Sequence, residues 1–242
     1  MTFRIRSAGM SDPGLKRPAN EDSMLIDDDH SLWVVADGMG GHKNGAFASS
    51  QAVGCLAELT FEEDFDAALQ RTADCIYAAN QQIWNAEGGS EARGTMGTTI
   101  VSLLIRGQRF AILWVGDSRA YIYRRGGLFR LSTDHTHVQD LVDQGMLEPS
   151  EAEHHPMAHV LSRALGVQET VQVDIVEDTL EPGDIFLLCS DGLTGPVSEG
   201  TIREIVSANP PGEAVDKLIE AAHANGAPDN VSVALVAVES DS

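Results

Sequence analysis

Short runs of β-branched and aromatic residues, bounded by Gly, Asp or Asn, recur along the chain at residues 3–8, 32–36, 98–105, 109–115, 119–124, 128–131, 171–176, 184–188 and 231–238. Runs of this length and composition predict strands. Turns at Gly107-Gln108 and at Gly126-Gly127 predict tight hairpins, because glycine supplies the positive φ that two-residue loops need. The strands on either side of each turn are then antiparallel neighbours.

A second period lies between these runs. Phe65, Leu69, Thr72, Ile76, Ala79 and Ile83 recur at steps of three and four, the apolar stripe of one long helix. Residues 46–59 predict another. Val215, Leu218, Ile219 and Ala222 mark a third, with Pro210-Pro211 just ahead and Gly226 just past it. Helices therefore come in blocks and not after every strand, which favours an α+β sandwich over a doubly wound parallel sheet. The sequence carries no internal repeat, low-complexity tract or Pro/Ser-rich linker, so a single domain over 1–242 is expected. Residues 134–163, rich in His, Glu and Met, are the least regular stretch and predict a partly helical surface flap.

Composition narrows the functional classes. With 43% apolar residues, 242 positions suffice for a substantial core. Thirty-seven acidic against 16 basic residues give a formal charge of −21, which argues against nucleic acid and against anionic membranes as partners. Cys55, Cys75 and Cys189 are odd in number and widely spaced, so neither a disulfide framework nor a thiolate zinc site is expected, and a reducing cytoplasm fits best. The N-terminal stretch lacks an apolar segment of signal-peptide length, and no run approaches the roughly 18 apolar residues of a membrane span.

The stretch VVADGMGGHKNG, residues 34–45, ends an apolar run on one aspartate and follows it with four glycines. Lys43 stands where a dinucleotide fingerprint needs its third glycine, and no Gly-Lys pair exists for a phosphate-binding P-loop. No cysteine has an arginine six residues on, and no G-x-S-x-G elbow occurs. What remains is a set of aspartates at strand ends: Asp22, Asp37, Asp117, Asp191 and Asp229. Singly, each is an ordinary turn residue. Together, brought to one place by strands from distant parts of the chain, they could not all ionise without a counter-charge, which hard divalent cations supply. Oxygen donors without thiolates suit Mg²⁺ or Mn²⁺ and not zinc.

The ordered series GLKRPANEDS, VVADGMGGHKNG, GTMGTTI, WVGDSRAYIYR, LSTDHTHVQDLVDQG, HVLSRALG, LEPGDIFLLCSDGL and PDNVSVALV resembles the metal-dependent Ser/Thr protein phosphatases of type 2C in their compact bacterial form. The resemblance implies a four-layer α-β-β-α sandwich of two antiparallel sheets, with two Mg²⁺ or Mn²⁺ ions at one end. It makes Asp37 the bridging carboxylate and Gly38 a backbone ligand. Asp191 and Asp229 match ligands of the first ion, and Asp22 with Glu21 the group serving the second. Asp117, with Asp191, matches the pair that holds a third, looser ion. Arg17 matches the arginine that grips the substrate phosphate.

The implied activity is hydrolysis of phosphoserine and phosphothreonine in proteins by a metal-activated water, opposing a Ser/Thr kinase in the cytoplasm; a monomer is expected. Two departures stand out. Met39 occupies the place of a histidine found in many eukaryotic relatives, leaving His42 as the nearest candidate acid, and the flap carries Met157, Ala158 and His159 where bacterial relatives more often have polar residues. A catalytically silent phosphate-binding module of the same fold, or a hydrolase of small phosphate esters, are the alternatives.

Overall fold

The computed structural model describes residues 3–40, 43–60, 64–86, 96–152 and 155–240. One five-stranded antiparallel sheet runs in the order β1 (Phe3–Asp12), β12 (Val231–Ser240), β11 (Ile185–Cys189), β8 (Arg119–Arg124) and β9 (Gly127–Arg130). The other runs β10 (Asp174–Thr179), β7 (Arg109–Val115), β6 (Ile100–Arg106), β3 (Leu32–Ala36) and β2 (Ser23–Asp27). A two-stranded ribbon, β4 (Gly38–Met39) with β5 (Gly97–Thr98), continues from the end of β3.

Both faces of the central strands are buried, so their side chains sort by the two-residue period into different cores. In β3, Trp33 and Val35 point into the space between the sheets, whereas Leu32, Val34 and Ala36 face α1 (Lys43–Ala57) and α2 (Phe65–Ala86). In β11, Phe186 and Leu188 face the other sheet, while Leu187 and Cys189 pack with α6 (Glu199–Ala208) and α7 (Pro211–Ala224). Helices thus cover the outer face of each sheet, giving the α-β-β-α sandwich. Pro210 caps α7 and Pro211 occupies its first turn, where the missing N–H costs no hydrogen bond.

Several elements differ from the sequence reading. The Gly107 hairpin joins β6 to β7 as expected, but the second turn sits at Arg125 (φ 53°) and Gly126 (φ 86°), with Gly127 already paired to Arg124. The 171–176 strand lies later, at β10, because Val171 and Val173 pack into the helix-side core before the chain reaches the sheet edge. β2, with the sequence SMLID, and α6, which buries Ile202 and Val206, are further elements that the sequence reading did not predict. Residues 134–163 include α3 (His137–Asp143) and α4 (Pro149–Ala152), tied back by a bridge between Thr136 and Leu161.

The cysteine expectation is corrected: Cys55 of α1 and Cys75 of α2 are joined as a disulfide, since the helical hairpin brings together residues 20 apart. Cys189 is free and buried. Among the described residues no helix is long and apolar enough to cross a membrane.

The inter-sheet core centres on Phe110 and Phe186, whose rings meet edge to face at 4.7 Å. Phe186→Ala is expected to lower unfolding free energy by about 3–5 kcal/mol, measured by denaturant melts. A loss below about 1 kcal/mol would show that the sheets close over the gap.

Candidate active site

The two sheets end in a cavity of about 610 Å³. Each acidic residue reaches it from a strand terminus. Asp37 follows β3, Asp117 lies in the turn from β7 to β8, Asp191 opens the short helix α5 (Asp191–Thr194) after β11, and Asp229 precedes β12. Glu21 and Arg17 arrive on the segment between β1 and β2. The flap closes the other side with His159, Val160, Leu161 and Arg163.

Hydroxyl groups hold the carboxylates in place. Asp22 is buried beneath the cavity, where its Oδ2 accepts hydrogen bonds from Ser190 Oγ at 2.9 Å and Ser232 Oγ at 2.7 Å. Its Oδ1 is buried and has no hydrogen-bond partner. The backbone of Asp37 is clamped by Thr98 and Thr99: the Asp37 N–H donates to Thr99 Oγ1, and its carbonyl accepts from the Thr99 N–H and the Thr98 hydroxyl, all within 2.9–3.0 Å. Thr99 Oγ1 also meets Ser118 Oγ at 2.7 Å, so the segments bearing Asp37 and Asp117 share one hydroxyl.

Asn230 joins the remaining two loops. Its Oδ1 accepts from the Glu21 N–H at 2.8 Å, and its Nδ2 donates to the carbonyls of Pro13 and Ala19. Arg17 spans Asp229 with both ends of its fork, Nε to Oδ1 at 2.8 Å and Nη2 to Oδ2 at 2.6 Å. At Gly38 the backbone needs glycine for close approach, because a Cβ there would lie 2.2 Å from the Gly45 carbonyl oxygen and 2.5 Å from that of Glu21.

Burial, and after it the crowding of like charges, governs the electrostatics. Asp37 is pushed well above the ordinary carboxylate range, first by burial and then by Asp22, Asp191, Asp117 and Asp229. Burial, followed by Asp191 and Asp134, raises Asp117 to about 7. Asp22 rises to about 6 through burial, although the Ser232 and Ser190 hydrogen bonds pull the other way. Asp191 is raised by burial and by Asp229, opposed by His159, whose Nδ1 lies 3.9 Å from its Oδ2. Arg17 answers part of this negative charge, at Asp229.

Among the described residues, no three His, Cys, Asp or Glu side chains close into an ion cage by themselves. The donors are instead an open array of carboxylate oxygens, one of them orphaned, beside a backbone that only glycine permits. Such an array fits hard cations whose remaining positions are filled by backbone oxygen and water.

Of the residues singled out in sequence, Arg17, Glu21, Asp37, Gly38, Asp117, Asp191 and Asp229 line the cavity, and Asp22 lies behind Asp37. His42 falls outside the described residues. Met39 and His159 both line the cavity, the latter with its side chain largely exposed. Sequence reasoning missed Ser190, Ser232, Thr99 and Asn230 as supports. Each neighbours a motif aspartate or sits inside a quoted motif, but a hydroxyl or amide beside an aspartate has no signature of its own.

The chain matches the family model described as Protein phosphatase 2C over residues 17–236. It is 39% identical over 239 residues to the serine/threonine protein phosphatase PstP of Mycobacterium tuberculosis, covering 98% of this chain and 46% of that protein. The chain thus spans about half the length of these mycobacterial relatives. To the serine/threonine phosphatase stp of Listeria monocytogenes it is 36% identical over 238 residues, 93% of each chain. The solved structure of M. tuberculosis PstP superposes with a TM-score of 0.91 at 38% identity, covering 98% of this chain and 99% of that one. The PstP catalytic domain in complex with two manganese ions gives 0.88 at 37% identity, covering 99% and 100%. On the extent of these matches and the shared sandwich, this chain belongs to the protein phosphatase 2C family.

Proposed function

We propose that the chain hydrolyses phosphoserine and phosphothreonine in proteins, using divalent cations held by its clustered carboxylates. The observation that carries this reading is the convergence of five aspartates from five separate strand ends, with four of their carboxyl groups forced upward in pKa and one oxygen orphaned. Burial of that many carboxylates is costly unless cations neutralise them. In this reading Asp37 and the Gly38 carbonyl, together with Asp191, Asp229, Asp22 and Glu21, would hold two Mn²⁺ or Mg²⁺ ions, and Asp117 with Asp191 would hold a third. Bound in pairs, such ions neutralise phosphoryl oxygens and make water acidic enough to supply a nucleophile at neutral pH.

The chain's own groups do the rest. Arg17 meets Asp229 through Nε and Nη2, which leaves Nη1 and the second Nη2 N–H at the cavity wall to donate to phosphate oxygens. Ser190 and Ser232 orient Asp22, and Thr99 orients Asp37. Val160 and Leu161 line the flap side with apolar surface and limit water there.

A protein substrate is favoured over a nucleotide because no Phe, Tyr or Trp lines the cavity among the described residues, so no platform for a base is present. A silent module is disfavoured by the retention of every carboxylate and of Arg17. The reading is completed by a monomer opposing a Ser/Thr kinase in the cytoplasm.

The deciding assay offers a phosphothreonine peptide, ATP and a small aryl phosphate in parallel, with Mn²⁺. Turnover of the peptide is expected, and its loss to the level of a protein-free control in Asp37→Asn. Hydrolysis confined to ATP or the aryl ester would overturn the substrate class. Arg17→Ala is expected to raise KM for the peptide on the order of tenfold with a smaller effect on kcat.

A third expectation concerns pH without cations. Folded-state pKa values raised above the unfolded value of about 3.9 mean that stability present at low pH is lost as pH rises through the folded values, here up to about 7. Metal-stripped protein is therefore expected to melt lower at pH 7.5 than Asp117→Asn does, with the gap narrowing as pH falls and closing only below about pH 4. Mn²⁺ should raise the wild-type midpoint more at pH 7.5 than at pH 5. Identical pH profiles for the two proteins would refute the crowding of Asp117.

A further inference from the structure

His135 is a buried residue, 6% exposed, that lies outside the cavity lining and has no part in the chemistry above. It nevertheless holds both peptide groups of Gly116, the residue before Asp117. The His135 N–H donates to the Gly116 carbonyl at 3.0 Å, and the Gly116 N–H donates to His135 Nδ1, also at 3.0 Å. Gly116 has φ of 104°, a conformation that side chains disfavour, and a Cβ there would lie 2.6 Å from Thr99 Cγ2. The turn that carries Asp117 is therefore held between Thr99 on one side and His135 on the other.

The ring itself is fixed from three directions. It stacks on Trp114 with ring centroids 6.1 Å apart and planes inclined by 16°. Nε2 faces Asp174 Oδ2 and Arg163 Nη1, each at 3.2 Å, and Asp174 Oδ1 accepts from Arg163 Nη1 at 2.8 Å. The His135 carbonyl accepts from the Ser162 N–H at 2.9 Å. Because Nδ1 accepts from a peptide N–H, the proton resides on Nε2 and points to Asp174. Burial, and then the Arg163 guanidinium, keep the imidazole pKa below its usual value, in line with this neutral tautomer. Both nitrogens are occupied, so the ring has none to offer an ion or a substrate.

We propose that His135 is a positioning residue for Asp117: its Nδ1 fixes the Gly116 peptide and so the direction from which the Asp117 carboxylate enters the cavity. The inference rests on the reading of Asp117 as a working site carboxylate. A histidine that merely fills its corner of the core would be replaceable by any residue that restores packing. A positioning histidine must be replaced by one that restores the acceptor.

Two substitutions separate these cases, because asparagine places an amide oxygen where Nδ1 stands and glutamine places an amide nitrogen where Nε2 stands. His135→Asn keeps the acceptor for Gly116, whereas His135→Gln keeps the link to Asp174. The whole chain is used for three readouts: thermal midpoint, hydrogen exchange of the Gly116 amide in metal-stripped protein, and kcat and KM on a phosphothreonine peptide with Mn²⁺. His135→Gln is expected to speed Gly116 exchange and to lower kcat about 10–100-fold with KM little changed, as for supports of metal ligands generally. His135→Asn is expected to keep slow exchange and to stay within about threefold of wild-type kcat at a similar midpoint.

Equal losses in the two variants, or losses that follow the midpoint alone, would overturn the proposal. So would wild-type turnover in Asp117→Ala. A wild-type chain inactive on the peptide would defeat the proposed substrate, while the exchange of Gly116 in the two variants would still decide whether Nδ1 holds the turn.

Discussion

Repulsion among buried carboxylates is the constraint around which this chain is built. Asp22, Asp37, Asp117 and Asp191 are all raised in pKa by burial, and each feels at least one of the others. A cluster of this kind opposes folding unless rigid elements hold it together and positive charge enters it. The sandwich supplies the first requirement. Arg17 supplies part of the second at Asp229.

Rigidity comes from strands that are buried on both faces. β3, β7, β11 and β12 run through apolar surroundings and end at the same edge of the molecule, so their termini are fixed by the cores and not by the loops. Small hydroxyl residues then fasten each acidic group to a neighbouring strand end. Thr99 ties Asp37 to Ser118, and Ser190 and Ser232 converge on one oxygen of Asp22. Hydrogen bonds to a carboxylate favour its ionised form, which keeps Asp22 less perturbed than its burial would otherwise make it. Asn230 performs the same fastening for the loops bearing Glu21 and Arg17.

The flap is closed on itself by the bridge between Thr136 and Leu161. It meets the frame through His135 at Gly116, through Arg163 at Asp174 of the edge strand β10, and through His159, whose Nδ1 lies 3.9 Å from Asp191. The Cys55–Cys75 bond joins α1 to α2 on the far side of the same sheet, and α1 also packs against β4 and β5 beside Gly38.

Strands 32–36, 109–115 and 119–124 were legible to the residue, because a strand buried on both faces is a continuous apolar run with sharp polar ends. The long helix was legible from its stripe. β2 and α6 were not among the predicted elements, although α6 carries a stripe of its own at Ile202, Ile205 and Val206. Motif order identified the aspartates and Arg17, because those residue types are chosen by chemistry and recur at strand ends. Their supports were hidden: Ser190, Ser232, Thr99, Asn230 and His135 gain meaning only from partners 19 to 217 residues away. Likewise the pairing of Cys55 with Cys75 depends on how two helices fold back on each other. Sequence alone determined which groups this chain brings to its chemistry, since composition and local period are written residue by residue. Distance, burial and tautomer were decided only by the tertiary structure, because each is a property of pairs that the chain separates and the fold reunites.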